Sequence, residues 1–175
     1  MEKKIRTIAA LNSHNVSVNL DEVILRNGKR GERIKIIHPE AAAVIPFLSE
    51  DEILMVRQYR YALERQTLEI PAGKVDPGET AEECAARELM EETGYKAEKL
   101  DLVCTYAPAI GYSSELIHVY SAKILQQAGQ GFDQREISSV EKMRLSEVWE
   151  MVKKGEIVDG KTLLSLSMLK IVGEP

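Results

Sequence analysis

The chain has 175 residues, enough for one ordinary domain to bury a core without disulfide or metal staples. Hydrophobic residues make up 44% and charged residues 29%, with a formal net charge of −5; this excludes a disordered chain and argues against a nucleic-acid partner, which would call for a basic stripe. No apolar run reaches the ~18 residues that a membrane span needs, so no membrane partner is expected either.

Met1-Glu2-Lys3-Lys4-Ile5-Arg6 is charged with no long apolar stretch behind it, and no signal peptide is read there. Residues 5–10 and 16–25 alternate loosely and end at Asn27-Gly28-Lys29-Arg30-Gly31, which predicts a β-hairpin. Arg33–Ile37, Ala41–Phe47 and Ile53–Tyr59 read as strands, with a turn at Glu50-Asp51. Thr67–Pro71 is a short strand that delivers the chain into Ala72-Gly73, and a helix over 80–92 comes next. Strands near 99–106, 116–123 and 139–144 follow, then helices at about 145–154 and 161–171, the first ended by Gly155. This order predicts an α/β (α+β) fold, a mixed β-sheet covered by helices over 38–175, behind an N-terminal β-hairpin extension at 1–37. Cys84 and Cys104 fit neither a disulfide framework nor a zinc site, and a reducing cytoplasm is the expected location.

The chemistry concentrates in Gly73–Tyr95. Gly73 and Pro77-Gly78 predict a bent loop; Thr80 with Glu83 makes a capping box, and Gly94 stands where a helix takes a left-handed residue. At ~100° per residue Glu88, Glu91 and Glu92 share one arc of that helix, beside a small apolar stripe of Ala85 and Leu89. Carboxylates so grouped repel unless a cation sits among them, and hard oxygen ligands suit Mg²⁺ or Mn²⁺ rather than zinc. On spacing alone a solvated acidic face is an equal reading, although these glutamates lack lysines at i+4 within the helix. Arg87 is placed to pair with a loop carboxylate such as Glu79.

The segment matches the pattern G-x5-E-x7-R-E-U-x-E-E-x-G-U, U being apolar, through Gly73, Glu79, Arg87, Glu88, Leu89, Glu91, Glu92, Gly94 and Tyr95. Its strict identities, at ~7% average usage each, arise by chance roughly once in 10⁸ windows. The chain thus resembles the Nudix hydrolases. That resemblance implies a Nudix fold and metal-dependent hydrolysis of a nucleoside diphosphate linked to another group. Carried over, Glu88 and Glu92 are the main metal ligands, Glu91 a ligand or orienter, Glu79 a loop support and the Ala72 carbonyl a further ligand.

The flanks Val56–Tyr61, Leu68–Gly73 and Tyr106–Glu115, the last with Pro108, resemble the ADP-ribose pyrophosphatase and nucleoside diphosphate sugar branch. By that resemblance Arg60 contacts substrate phosphates or the terminal ribose, an arginine fork suiting two phosphate oxygens; the alternative is a strand-end surface arginine. Glu69 resembles a site carboxylate near the metals, and Glu115 either holds a ribose hydroxyl or caps a turn. Relatives draw a base from a late loop carrying E-x-E; this chain keeps Glu136 but has Gln134 at the earlier place, and an amide cannot be a general base. Glu136 is therefore the candidate for base or extra ligand, with Glu91 or a metal-bound hydroxide as alternatives. The branch also implies a homodimer that exchanges N-terminal strands, with Arg33 contacting substrate in trans, against a plain edge hairpin within one subunit.

His14, His38 and His118 show no ligand spacing, Cys84 reads as packing, and Trp149 with Val148 and Val152 reads as a core stripe, as do Met90, Met143, Met151 and Met168. Three functions follow as expectations: hydrolysis of ADP-ribose to AMP and ribose 5-phosphate, the same chemistry on other nucleoside diphosphate sugars or oxidised nucleoside diphosphates, or non-catalytic sensing of ADP-ribose. The intact motif disfavours the last.

Overall fold

The computed structural model describes residues 1–128 and 136–172. They form two compact units, one of Met1–Glu40 with Ala107–Leu116, the other of Ala41–Tyr106 with the chain from Ile117 onward.

In the first unit β1 (Lys3–Ser13), β2 (Val16–Ile24) and β3 (Arg30–Ile37) form an antiparallel sheet in that order. The expected hairpin therefore gains a third strand. Gly28, at φ 81, and Asn27, whose Oδ1 accepts the Lys29 N–H at 3.1 Å, turn the chain tightly enough to lay 30–37 back on β2. Segment 107–116 attaches through backbone bonds from Ile36 N–H to the Tyr112 carbonyl (2.7 Å) and from Ser114 N–H to the Ile36 carbonyl (2.9 Å). Strand β1 is exposed along its whole length, Ile5, Ile8 and Leu11 included.

The second unit is built on β4 (Ala41–Phe47), β5 (Glu52–Arg60), β6 (Arg65–Glu69), β7 (Ala72–Lys74), β8 (Tyr95–Tyr106), β9 (Ile117–Gln127) and β10 (Ile137–Arg144). The order is β10-β5-β4-β9-β8, with β6 on β5 and β7 on β4; β4 and β9 run parallel and the other pairs antiparallel, so the sheet is mixed. Every residue of β4 is buried. The two-residue period of a strand explains why. Ala42 and Val44 pack with Cys84, Ala85 and Leu89 of α1 (Ala81–Thr93). Ala41, Ala43, Ile45 and Phe47 pack on the opposite side with Val148 of α2 (Leu145–Lys153) and Leu166 and Leu169 of α3 (Gly160–Val172). Helices cover both faces, which is why the strand reads as one apolar run.

The capping box on α1 forms as its sequence dictates: Thr80 Oγ1 accepts the Glu83 N–H (3.2 Å) and Glu83 Oε2 accepts the Thr80 N–H (2.8 Å). Gly94 closes the helix at φ 76, donating to the Met90 carbonyl at 2.9 Å. Two expectations need correction. Gly73 lies not in a bent loop but in β7, opposite Ala42, because the edge of β4 offers its backbone a ladder; the bend comes later, at Gly78 with φ 89. Of the methionines, Met143 and Met151 only half bury against the α2–α3 side and Met90 and Met168 are also half-buried, whereas Met55, inside β5, is fully buried. Val148, Trp149 and Val152 do pack there as expected. Among the described residues no helix is long and apolar enough to cross a membrane.

Candidate active site

Arg87 organises one side of the site. Its Nε and Nη2 donate to the two Glu79 oxygens at 2.9 and 3.0 Å, Nη2 also reaches the Lys74 carbonyl at 3.0 Å, and Nη1 donates to Glu88 Oε1 at 2.6 Å and Glu91 Oε2 at 3.2 Å. The expected Arg87–Glu79 pair exists within a wider clamp. Hydrogen bonds from Arg87, helped by the Asp76 N–H at 3.0 Å, hold the Glu79 carboxyl at about 2. The loop is thereby locked to the helix.

Behind the clamp, strand β7 passes very close to α1. A Cβ on Gly73 would overlap the Glu88 carboxylate, so this glycine answers to space rather than to backbone angle. Burial pushes the Glu88 carboxyl up, Arg87 pulls it down, and the charges of Glu91 and Glu136 push it up again. Glu136 is exposed, in the turn before β10, yet within electrostatic reach of Glu88. Gln134 lies outside the described residues. Glu92 is 7% exposed. Burial lifts its carboxyl to about 8; the Ala72 N–H, donating at 3.0 Å, opposes this and the charge of Glu88 adds to it.

Among the described residues no three His, Cys, Asp or Glu side chains close on one point. Glu88 and Glu92 instead hold Arg87 and the Ala72 N–H. The donor chemistry nevertheless fits a hard divalent ion. Two neighbouring carboxylates that are costly to ionise in the absence of a cation are stabilised by one, and Mg²⁺ is commonly held by one or two carboxylates with water and phosphate completing its shell. Glu88 and Glu92 are the residues that would hold it, with Glu91 at the rim, its side chain 56% exposed.

A second cluster lies around Glu69, which is 1% exposed. Arg60 forms a fork on it, Nε to Oε1 at 2.8 Å and Nη2 to Oε2 at 2.6 Å, while Thr67 Oγ1 donates to Oε1 at 2.6 Å. The Lys161 ammonium also sits on Glu69 Oε2 and on Asp159 Oδ2, the latter at 2.8 Å. Asp159 Oδ2 accepts from the Thr162 N–H (3.0 Å) and hydroxyl (2.6 Å), and the Thr162 oxygen in turn accepts the Ile70 N–H at 3.0 Å. Burial by itself would raise Glu69; Arg60, Lys161 and Thr67 overcome it and hold the carboxyl at about 2. The charges of Lys161 and Arg60 act on Glu92 as well, so the two clusters are linked electrostatically. Lys161, Asp159 and Thr162 escaped the sequence reading. The Asp159-x-x-Thr162 spacing signals a helix start, but nothing local signals that Lys161 reaches a strand 92 positions away.

Arg33 and Glu115 belong to the first unit. Arg33 Nε donates to Glu2 Oε2 at 3.0 Å. Glu115 Oε1 lies 3.6 Å from His38 Nδ1, a neighbour the sequence did not suggest, and the Glu115 N–H is accepted by Ser113 Oγ at 3.2 Å. His118 Nδ1 is 3.0 Å from Thr105 Oγ1. Cys84 is packing, as expected: its thiol faces the Lys74 carbonyl at 3.3 Å and burial pushes it up to about 12.

The Glu69 cluster sets an acid-side stability trend. A carboxyl depressed from 4.5 to about 2 in the folded protein contributes stability above its ordinary value and loses it as pH falls through that window. Glu69→Gln should lower the urea midpoint at pH 7, and the gap from the parent protein should narrow as pH drops from about 4.5 to about 2. A gap that stays constant across the window would detach Glu69 from this linkage.

The NUDIX domain model matches residues 37–166. The chain is 37% identical over 172 residues to the methanol dehydrogenase activator of Bacillus methanolicus and 35% identical over 172 residues to the ADP-ribose pyrophosphatase of Bacillus subtilis (strain 168), in each case over 97% of this chain and 93% of the other. Its fold is that of an ADP compounds hydrolase known from a crystal structure, with a TM-score of 0.81 over 97% of this chain and 94% of that one, at 22% identity. With the motif intact on α1 and both flanking helical layers in place, the chain belongs to the NUDIX family and is a Nudix pyrophosphohydrolase.

Proposed function

We propose that this Nudix enzyme hydrolyses the pyrophosphate bond of ADP-ribose to AMP and ribose 5-phosphate, with Mg²⁺ as its ion and Mn²⁺ as a substitute. The observation that carries the reading is the adjacency of two unlike clusters, the cation-poor carboxylates Glu88 and Glu92 and the cation-rich group of Arg60, Lys161 and Glu69. Nudix hydrolases in general need divalent metal ions. When bound, such an ion neutralises the diphosphate and acidifies an attacking water. In this reading Glu88 and Glu92 hold it, aided by Glu91 and the Ala72 carbonyl, and Glu136 takes the proton from the water. Arg60, 42% exposed at its side chain, presents its guanidinium to substrate phosphate while Glu69 fixes its orientation.

Similarity to the Bacillus subtilis ADP-ribose pyrophosphatase supports the choice of substrate. Other nucleoside diphosphate sugars, oxidised nucleoside diphosphates and non-catalytic sensing are the alternatives. Similarity to the methanol dehydrogenase activator supports a second role, stimulation of a dehydrogenase, which a coupled assay with methanol dehydrogenase tests directly. The fully exposed β1, with Ile5, Ile8 and Leu11, supports a homodimer with exchanged N-terminal strands that brings Arg33 to the partner's substrate, with Glu115 on a ribose hydroxyl. Two free cysteines support a cytoplasmic location.

In a substrate panel with AMP and sugar phosphate quantified, ADP-ribose should turn over at least ~10-fold faster than nucleotide sugars; equal rates would remove the specific assignment. Glu92→Gln and Gly73→Ala, the second by displacing the Glu88 carboxylate, should each cut turnover ~100-fold or more with the fold retained. Glu136→Gln should lower kcat ~100-fold at unchanged KM; a change under about threefold would move the base elsewhere.

A further inference from the structure

The sequence motif leaves α3 without a role in the site, yet the helix sends one charged side chain into it. Lys161 stands at the start of α3 with only 10% of its side chain exposed, and both of its ion-pair partners, Glu69 and Asp159, are themselves largely buried, at 2% and 20%. Glu69 receives two donors on each oxygen: Arg60 and Thr67 on Oε1, Arg60 and Lys161 on Oε2. The two cations differ in access. The Arg60 side chain is 42% exposed and that of Lys161 is 10% exposed, so a dissolved anion can meet the first and not the second.

We propose that Lys161 is a positioning residue for substrate phosphate: it neutralises Glu69 from inside the protein, so that Arg60 is held in orientation by Glu69 while its charge stays available to the diphosphate. The inference rests on the reading of Arg60 as a phosphate contact. Its electrostatic logic is a count. Lys161 and Arg60 together stand against Glu69 and Asp159, with Lys161 paired to both carboxylates and Arg60 to Glu69. With Lys161 neutral, Arg60 alone faces the carboxylates of Glu69 and Asp159, and an incoming diphosphate meets a more negative site. Among the described residues Arg60 Nη1 takes no part in the pair with Glu69, which leaves both of its N–H groups, and the second one on Nη2, for phosphate.

The geometry also explains how α3 is indexed to the site. Asp159 holds Lys161, caps the helix at Thr162 and, through the Thr162 hydroxyl, meets the Ile70 N–H one residue beyond Glu69. Helix start, lysine and strand end are thus joined at a single carboxylate oxygen. A lysine that only stabilised the fold would alter melting temperature without altering substrate affinity selectively.

The test compares Lys161→Met, Arg60→Ala and the double variant, by steady-state kinetics with ADP-ribose and by calorimetric Kd for α,β-methylene ADP-ribose. Lys161→Met should raise KM and Kd about tenfold with kcat changed less than about threefold, Lys161→Arg should recover most of the loss, and Lys161→Met should add little once Arg60 is gone. Unchanged KM and Kd in Lys161→Met, while Arg60→Ala loses affinity, would overturn this inference alone. Unchanged affinity in Arg60→Ala would instead remove the reading on which it rests. Should Lys161→Met not fold, Lys161→Gln, whose amide can still donate to Glu69, carries the same expectation; failure of both to fold would assign Lys161 to stability only and overturn the proposal.

Discussion

One guanidinium ties the motif together in a chain whose formal net charge is −5. Arg87 directs its donors to Glu79, Glu88, Glu91 and the Lys74 carbonyl, which joins three carboxylates and the end of β7 to one planar group. A lysine would offer a point charge and could not span the same set, because the fork geometry decides which oxygens are reached together. With the loop drawn onto α1, β7 lies so near the helix that a Cβ at position 73 would displace the Glu88 carboxylate. The first glycine, the first glutamate and the arginine of the motif are therefore one mechanical unit.

Around that unit two buried carboxylates are pushed in opposite directions. Glu69, with Arg60, Lys161 and Thr67, sits at about 2; Glu92, with one backbone amide as its donor, sits at about 8. Their environments divide the labour. Glu69 is ionised at neutral pH with its partners already in place, so it serves to orient them. Glu92 lacks a counter-charge of its own, which is the condition under which a carboxylate gains most from a divalent ion. Separation of titration behaviour between neighbouring acids is a recurring mark of active sites, and here it follows from Arg60 and Lys161 hydrogen-bonding Glu69 directly while acting on Glu92 only through their charge.

Much of this was legible in the residue order, for identifiable reasons. Thr80, Glu83 and Gly94 announce the ends of α1 because caps are local chemistry, and the unbroken apolar run Ala41–Phe47 could be read as a strand, its apolarity following from the helices that cover both of its faces. Long-range pairings were not legible. Lys161 and Glu69 are 92 positions apart, and a lysine at a helix start carries no sign of its partner. Gly73 was read by its flexibility when its actual constraint is the carboxylate of Glu88, fifteen residues on. The proximity of Glu136 to Glu88 likewise depends on β10 pairing with β5, a non-local event.

The division of the chain into two units bears on how reaction and substrate choice are related. Every residue of the motif, together with Arg60, Glu69 and Lys161, lies in the second unit, whereas Arg33 and Glu115 lie in the first. The second unit carries a complete charge system of its own: a clamp, a pair of costly carboxylates and a neutralised orienting acid. The NUDIX domain model, matching residues 37–166, includes the whole of that charge system and leaves residues 1–36 of the first unit outside it.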